Sequence, residues 1–438
     1  MTPPDGAVRA EEADAAGADR ARLGIIGSLS VAHELPATML GVFVPTLFIK
    51  ELGVPVSYLG LFGIPLLVTA LKWLWAPLVD SRGWIRFGKR RSWILPASFC
   101  VSALYLIIAG VTPSFETLPL VIGLFVLVQI AFSTYEIAAD AYVVESLTRK
   151  QRGLGSSVVW FGKELGQIIG LAGLLYVADV YGWTAAFLTA AALFSLLNMT
   201  VLLRAETLGD AENEQPRRIG RRADVRHYFR EPVNRRVLLL VLCFAFAIQM
   251  PIAVIGPFLG SKGLTLSEVG VAIGVAASIG AGLSLALSSV IVSRLGAKRT
   301  ALVLIPAGLM ALPAFLWLAS ADAPGLTTVM LVVFWGSICT APMRMVFYAA
   351  RLGWTSKTQV GTDFTIQQSV WFVGYGATLA VSGLLAALIG WTWFFVVSAV
   401  LTTLMMLSFI HLHDRIEADI AAWRDRSAPD NADMITSH

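Results

Sequence analysis

The sequence is poor in charged residues. Only 14% of its 438 residues are Asp, Glu, Lys or Arg, whereas a soluble globular domain carries roughly 25%. The apolar fraction is 56% and the mean hydropathy is +0.72. A soluble chain cannot cover that much apolar surface, so the excess must face lipid. This composition excludes a soluble enzyme, a disordered regulator and a nucleic-acid-binding module.

Cysteine is also scarce, and the motifs of ATP-consuming proteins are absent. The three cysteines (Cys100, Cys243 and Cys339) lie in separate apolar segments without C-x-x-C spacing, which indicates neither a disulfide framework nor a metal site. The sequence has no G-x-x-x-x-G-K-S/T nucleotide-binding loop. We therefore expect no enzymatic activity, no cofactor and no bound metal. Energy for any transport would come from an ion or substrate gradient.

Long apolar runs dominate what is present. A helix needs about 20 mostly apolar residues to cross the hydrocarbon core, and twelve runs approach or exceed that length. The predicted fold is an all-α integral membrane protein with twelve transmembrane helices in two six-helix halves. The runs are 23–48, 57–79, 93–111, 118–144, 154–178, 183–203, 237–259, 266–292, 300–319, 326–349, 361–388 and 391–412.

The longest connection between runs is basic and divides the chain in two. The predicted organisation is a disordered N-terminus (1–22), an N-terminal half (23–203), a linker (204–236), a C-terminal half (237–413) and a tail (414–438). The N-terminal leader is polar and rich in alanine and acids, which is not the pattern of a cleaved signal peptide. The linker is expected to be a solvated loop, with a lipid-headgroup surface as the alternative.

The distribution of cations predicts the orientation. Of the 33 Lys and Arg residues, 28 lie in the N-terminus, the tail and alternate loops, whereas the other loops contain only Lys50 and Lys262. Cytoplasmic loops carry the excess of basic residues in membrane proteins. Both termini are therefore expected to be cytoplasmic.

The loop after the second run carries a recognisable signature. It reads APLVDSRGWIRFGKRRSW (76–93), and a shorter, similar segment, SVIVSRLGAKRT (289–300), lies at the end of the eighth run. The first copy resembles the G-x-x-x-D-R-x-G-R-R loop of the major facilitator superfamily, although Ala76 replaces the first glycine and Ser81 precedes Arg82. In that family the loop is a conformational latch. The resemblance assigns a gating latch to Asp80, Arg82, Gly88, Lys89, Arg90 and Arg91.

Ionisable residues inside the runs are functional hypotheses, because each costs at least ~2.5–3.5 kcal/mol at the bilayer centre. The first run carries His33 and Glu34, and Glu34 is the better candidate for a titrating acid. In the fourth run, Gln129, Ser133, Glu136 and Asp140 share one helical face. Two carboxylates at i and i+4 favour a shared proton or an intervening cation, and the alternative is a structural ion-pair network.

These residues form two predicted groups. The proton-coupling candidates are Glu34, Glu136 and Asp140. The substrate-cavity candidates are His33, Lys72, Gln129, Lys163, Gln167, Arg344 and Gln367. Arg344 is expected either to bind an anionic group of the substrate or to neutralise an acid of the other half.

Several segments resemble a narrower branch of the superfamily. KWLWAPLVD (72–80), EIAADAYVVESL (136–147) and RGLGSS (152–157) resemble the muropeptide permeases of the AmpG type. GTDFTIQQS (361–369) is more similar to the siderophore permeases of the RhtX/FptX type. Both resemblances imply import across a bacterial inner membrane driven by protons.

The expected function is proton-coupled import of a siderophore by alternating access. Anhydro-muropeptide import is the alternative, and a pigment-complex assembly factor of the same superfamily is a further alternative. The expected partners are a small-molecule substrate, protons and the lipid bilayer, but no nucleic acid, and the expected state is a monomer. The sequence leaves open sodium against proton coupling, the exact chelator and the direction of transport.

Overall fold

The computed structural model describes residues 5–83, 88–147, 152–203, 225–355 and 360–427. All regular secondary structure in these ranges is helical, as expected where the backbone must satisfy its own hydrogen bonds in lipid. Ten continuous stretches are long and apolar enough to cross a membrane, and two of them contain 47 and 62 residues. Each of these two contains a break, so the described ranges hold twelve transmembrane helices.

We number these helices α1 to α12. Those with their own ends are α1 (Arg20–Lys50), α2 (Val56–Leu74), α3 (Arg91–Ala109), α4 (Leu118–Ser146), α7 (Pro232–Ser261) and α10 (Leu326–Gly353). Helix α8 begins at Leu266 and α9 ends at Ser320, and the two meet at Gly296, where the backbone leaves the helical conformation. Helices α5 and α6 share Ser157–Leu203 and meet at Gly182, and α11 and α12 share Thr362–Trp423 and meet at Gly390.

Glycines with positive φ mark the repeat of the two halves. They are Gly53, Gly88 and Gly182 in the first half, and Gly263, Gly296 and Gly390 in the second. Each first-half glycine lies between the same two helices of its half as its second-half counterpart. Because a left-handed backbone strains other residues, the equivalent turns are built from the same residue type. The sequence Gly-Trp-Thr follows at both 182–184 and 390–392.

The first helix extends further back than the sequence predicts. The N-terminal leader, 1–22, is expected to be disordered, yet the helix that becomes α1 covers Asp5–Thr38. The leader is rich in alanine, which has the highest helix propensity, and it joins a membrane span without a helix-breaking residue. Of the linker at 204–236, residues 204–224 lie outside the described ranges, and a short helix covers Val225–Arg230. The long helix that contains α12 ends at Ser427.

Within the described ranges, three helices contain π-helical turns. These are Met39–Phe43 in α1, Ile169–Gly173 in α5 and Val271–Ala277 in α8. Such turns are frequent at functional sites because they change the direction of the side chains that follow. In α2, Lys72–Leu74 forms a 3₁₀ turn. Three of these four helices, α1, α2 and α5, carry ionisable side chains inside the membrane.

The two halves pack most closely at the end of the bundle opposite the termini. A Cβ placed on Gly63 of α2 would lie 2.6 Å from the Gly376 carbonyl oxygen of α11. On the other side of the bundle, a Cβ on Gly270 of α8 would lie 2.6 Å from the Leu171 carbonyl oxygen of α5. Small residues allow such close approach of helix backbones in membranes. We call this end of the bundle the closed end.

The hydrophobic core consists of two separate clusters, and only one of them includes residues of both halves. One buried cluster includes the N-terminal half together with closed-end residues of the other half, such as Phe258, Val269 and Phe394. A second, separate cluster lies in the C-terminal half toward the termini and includes Phe244, Phe347 and Trp423. The shared core at the closed end and the separate core near the termini indicate a molecule closed at one end.

Candidate functional site

A cluster of charged side chains lies inside the N-terminal half. It draws on four helices: His33 and Glu34 come from α1, Lys72 from α2, Glu136 and Asp140 from α4, and Lys163 from α5. The 3₁₀ turn at Lys72 and the helical face of α4 direct these side chains toward one another. We call these six residues the charge cluster.

Glu136 is the centre of the cluster. Its Oε2 lies 2.6 Å from Lys72 Nζ, and its Oε1 lies 3.3 Å from His33 Nε2. Glu136 and Lys72 are both buried. A buried carboxylate requires such partners, because desolvation of an isolated charge is costly. The ammonium group of Lys72 also lies 5.7 Å from the ring of Phe372 in α11, so this pair touches the other half.

His33 connects the two acids nearest to it. Its Nδ1 lies 3.4 Å from Glu34 Oε1, while Lys163 Nζ lies 3.9 Å from the same oxygen. Asp140 is exposed, and its carboxylate lies within 4.8 Å of ligand atoms of His33 and Glu136. Nδ1 makes no hydrogen bond, so the imidazole presents a positive charge to both acids only when both of its ring nitrogens are protonated. Three acids then face three cations, and loss of one proton unbalances the cluster.

This arrangement also has three atoms that could ligate a cation. His33, Glu136 and Asp140 offer a nitrogen and two carboxylate oxygens at mutual distances suitable for a metal ion. Lys72 Nζ already neutralises one oxygen of Glu136 at 2.6 Å. A positively charged neighbour at that distance disfavours a divalent ion through electrostatic repulsion.

Two residues that the sequence places in the cavity lie elsewhere. Gln129 is buried and donates from Nε2 to Thr69 Oγ1 at 3.0 Å, so it joins α4 to α2 within one half. Gln367 is fully buried, and its Nε2 donates to the Tyr228 hydroxyl at 3.4 Å. For Gln129 the sequence pattern gives the face of α4 that it shares with Glu136, but not the neighbouring helix that covers it.

The remaining cavity candidates lie where the two halves meet. Gln167 of α5 donates from Nε2 to Ser278 Oγ of α8 at 2.8 Å. Arg344 of α10 is half-buried and interacts electrostatically with Glu164 of α5 and with Tyr375 of α11. The structure thus brings Gln167 and Arg344 to the same seam between halves, on the side of α5 and α8.

The latch residues form contacts within the N-terminal half. Arg90 is buried, and its Nη2 and Nε donate to the two Glu145 oxygens at 2.7 and 3.0 Å. This bidentate pair joins the start of α3 to the end of α4, and such fork-to-carboxylate geometry is a strong form of ion pair. Gly88 has φ of +108°, and Arg91 is buried. The carbonyl oxygens of Arg82 and Lys89 accept from Trp93 and Ser92. The side chain of Asp80 lies outside the described part of the structure.

A polar contact joins the two halves at the closed end. Asp179, near the end of α5, accepts hydrogen bonds from the Ser267 backbone N–H at 3.2 Å and from its hydroxyl at 2.5 Å. Ser267 lies in the first turn of α8, whose N-terminus carries partial positive charge. Asp179 therefore acts on α8 as a capping acid supplied by the other half.

Several of these partners were not among the residues predicted from the sequence. Glu145, Asp179 and Ser278 each bind a predicted residue or join the halves. The contact of Glu145 with Arg90 could have been predicted, because Glu145 follows the fourth run and Arg90 precedes the third run, at the same face of the membrane. Asp179 and Ser278 gave no signal, because their roles depend on contacts between the halves.

A further unpredicted residue is buried in the C-terminal half. Arg351 at the end of α10 is buried, and its Nη2 donates to Gln368 Oε1 at 3.1 Å. Its guanidinium lies 5.2 Å from the ring of Phe364 and 5.4 Å from that of Trp371. Stacking on aromatic faces accommodates a buried guanidinium. Arg351 holds the start of α11 against α10.

Comparison with known proteins gives consistent matches. The model of the Major Facilitator Superfamily matches residues 27–350. A Rickettsia conorii protein that carries the name AmpG 4 is 22% identical over 84% of this chain and 91% of its own length. The anhydromuropeptide permease of Escherichia coli K12 is 24% identical over 79% of this chain and 70% of its own length.

Solved structures show the same fold at lower identity. A bacterial homologue of the human lysosomal transporter Spinster, solved in an inward-facing unoccupied conformation, matches with a TM-score of 0.61 and 16% identity. It covers 91% of this chain and 95% of its own. A POT family transporter in complex with 5-aminolevulinic acid matches with a TM-score of 0.67 and 12% identity, over 90% of this chain and 96% of its own.

Proposed function

This chain belongs to the major facilitator superfamily, and we propose that it is a proton-coupled importer of anhydro-muropeptides in the bacterial inner membrane. The observation that carries the substrate class is the similarity to an anhydromuropeptide permease over most of both chains. The segments 72–80, 136–147 and 152–157 support the same branch of the family. A muropeptide is bulky and anionic, so it requires a wide cavity with cationic groups.

The siderophore alternative rests on segment 361–369, and the position of that segment weakens it. Asp363 and Gln367 in this segment are fully buried, and Gln367 contacts Tyr228 and Arg351. These contacts belong to the helix packing of the C-terminal half. A segment that packs helices together does not select a substrate, so the resemblance at 361–369 is better explained by shared structure.

Alternating access is supported by the contrast between the two ends of the bundle. Tight helix contacts and the Asp179–Ser267 hydrogen bonds lie at the closed end. The latch pair Arg90–Glu145 at the other end stays within one half. If the termini are cytoplasmic, as the cation distribution predicts, this conformation opens to the cytoplasm. It is then the state from which an importer releases its substrate.

The charge cluster supplies the coupling in this proposal. His33 joins Glu34 to Glu136, and Lys72 on Glu136 also touches α11 of the other half through Phe372. Loss of a proton from the cluster leaves a net negative charge inside the membrane, which is costly. Proton loss to the cytoplasm would therefore favour rearrangement of the lysines and, with it, of the halves.

Uptake in a deletion strain tests the substrate class. Cells that lack the gene and carry it on a plasmid are supplied with radiolabelled anhydro-muropeptide or with labelled ferric siderophores. The proposal predicts plasmid-dependent uptake of the muropeptide and none of the siderophores. Siderophore uptake alone would overturn it in favour of the alternative, and plasmid-dependent uptake of neither compound would reject import of both classes.

A further inference from the structure

Arg344 carries a charge inside the membrane and has no direct partner in the part of the chain that the structure describes. It lies within α10 and is half-buried. Among the described residues, its guanidinium makes no hydrogen bond and no ion pair at 4.0 Å or less. A guanidinium has five donors and no acceptor, and leaving it unpaired at this depth is costly. The donors of this guanidinium are therefore available to an acceptor that a ligand carries.

Glu164 faces it from the other half of the molecule. The two side chains interact electrostatically although they form no direct ion pair. Glu164 Oε2 is buried and has no hydrogen-bond partner among the described residues. Its carboxylate also interacts with Ser278, to which Gln167 donates at 2.8 Å. An unpaired donor and an unpaired acceptor of opposite charge thus lie on opposite sides of the seam.

The surroundings place this pair where several helices meet. On the α8 side, a Cβ on Gly280 would lie 3.2 Å from Ser337 Cβ, so α8 packs tightly against α10 one to two turns before Arg344. Tyr375 of α11 interacts electrostatically with Arg344, and its hydroxyl would lie 3.0 Å from a Cβ on Gly41 of α1. Helices of both halves therefore surround Arg344, as is expected of a substrate position in this architecture.

We propose that Arg344 is the anion subsite for the transported molecule and that Glu164 is its internal counter-ion in the empty carrier. The chemical class of the ligand is a carboxylate or a similar planar oxyanion, which a guanidinium binds through two parallel hydrogen bonds. This assignment deepens the proposed function, on which the identity of the natural ligand rests. When the ligand enters, its carboxylate replaces Glu164 as the counter-ion of Arg344, and Glu164 keeps its contact with Ser278.

The arrangement predicts competition between the substrate and Glu164. Removing the internal carboxylate should strengthen binding of an anionic ligand, because the ligand no longer competes with it. Removing the guanidinium should weaken binding of the anionic ligand and leave that of a neutral analogue unchanged. A merely structural pair would not distinguish a charged ligand from a neutral one.

Binding to the purified full-length protein tests this. The probes are labelled anhydro-muropeptide, the same compound with its carboxyl groups amidated, and two small probes, N-acetylalanine and N-acetylalaninamide. We expect Glu164→Gln to lower the Kd for the acid forms roughly tenfold, and Arg344→Gln to raise it roughly tenfold to hundredfold. Neither variant should change binding of the amides. Glu116→Gln, an exposed acid between α3 and α4, is the matched control and should behave as the wild type.

The outcomes separate this inference from the proposed function. If N-acetylalanine raises the melting temperature of the wild type but not of Arg344→Gln, while anhydro-muropeptide does not bind, the subsite is supported and the substrate assignment is rejected. Equal loss of acid and amide binding in Arg344→Gln would overturn the subsite. So would a Glu164→Gln variant that binds the acid forms no more tightly than the wild type does.

Discussion

Lys72 and Glu136 have side chains that are each only 10% exposed, and they neutralise each other inside the membrane. Substituting Lys72→Gln leaves the Glu136 carboxylate with His33 as its remaining close partner. Removal of one partner from a buried pair costs about 3–5 kcal/mol. We expect a clear fall in the melting temperature of the purified protein, measured in detergent by the loss of helical circular dichroism.

The double variant Lys72→Gln with Glu136→Gln should recover most of that stability, because no unpaired charge is left. Arg236→Gln is the control, since its partner Asp419 is exposed and such surface pairs contribute less than about 1 kcal/mol. A double variant as unstable as Lys72→Gln alone would show that the pair does not explain the loss.

Substitutions of Glu136 and Asp140 test proton coupling separately from substrate binding. Glu136→Gln and Asp140→Asn remove a carboxylate from the charge cluster while keeping the shape of the side chain. We expect both to abolish uphill accumulation of substrate yet to retain exchange of internal for external substrate, which needs no net proton movement. Counterflow and pH-driven uptake in the same vesicles measure the two activities. Normal accumulation in both variants would refute proton coupling through α4.

The sequence predicts which residues share a face better than it predicts how deep they lie. The spacing of Gln129, Glu136 and Asp140 correctly puts all three on one side of α4. Gln129 is covered by α2, whereas Asp140 is exposed. Depth depends on how α4 crosses its neighbours, and helical periodicity contains no information about crossing geometry.

At the level of helices, α2 and α11 close one end of the molecule through glycine contacts. Valine at position 63 would drive its Cβ into the Gly376 carbonyl, 2.6 Å away. We expect Gly63→Val to open the closed end and to slow transport at least roughly tenfold, because one state of the cycle is disfavoured. Spin-label distances between the ends of α2 and α11 should lengthen.

Gly123→Ala is the control for this substitution. Gly123 lies in α4, and a Cβ there meets nothing within 4 Å. Alanine should be neutral or slightly stabilising in a helix. Equal loss of transport in both variants would mean that glycine is needed for helix structure and not for closure.

Asp179 closes the same end by a polar contact. Asp179→Ala removes the acceptor that binds the first turn of α8, and loss of such a cap costs about 0.5–2 kcal/mol. We expect the population of the state that is open at this end to rise several-fold. A cysteine that replaces the buried Leu171 should then react faster with a thiol reagent. Asp322→Asn, in an exposed loop, should leave the labelling rate unchanged. If Asp179→Ala is labelled at the wild-type rate, the contact between Asp179 and Ser267 does not stabilise the closed end.

Hydropathy predicts the twelve spans well because each must fill the bilayer with apolar residues. The breaks at Gly182 and Gly390 also agree with the sequence, since the predicted runs end at 178 and 388 and the next runs begin at 183 and 391. The π-helical turns in α1, α5 and α8 were not predicted. They arise where helices of opposite halves pack against one another, and a local sequence pattern does not include that contact.

For the whole molecule, the two halves share a core at one end and separate toward the other. The charge cluster lies in the first half, and Arg344 lies in the second. Binding of one substrate between them would connect a proton-binding group to an anion-binding group across the seam. The family and fold could be predicted from the loop at 76–93 and from hydropathy. The substrate class could not, because segments 72–80 and 136–147 contain residues of the charge cluster and segment 361–369 packs helices together.

Uptake by the purified protein in liposomes tests the central claim most directly. Vesicles are loaded with buffer at higher pH than the medium, and labelled anhydro-muropeptide is added outside. The account predicts accumulation above the external concentration, which collapses when a protonophore removes the pH gradient. Uptake that only equilibrates, with or without the gradient, would contradict proton-coupled import.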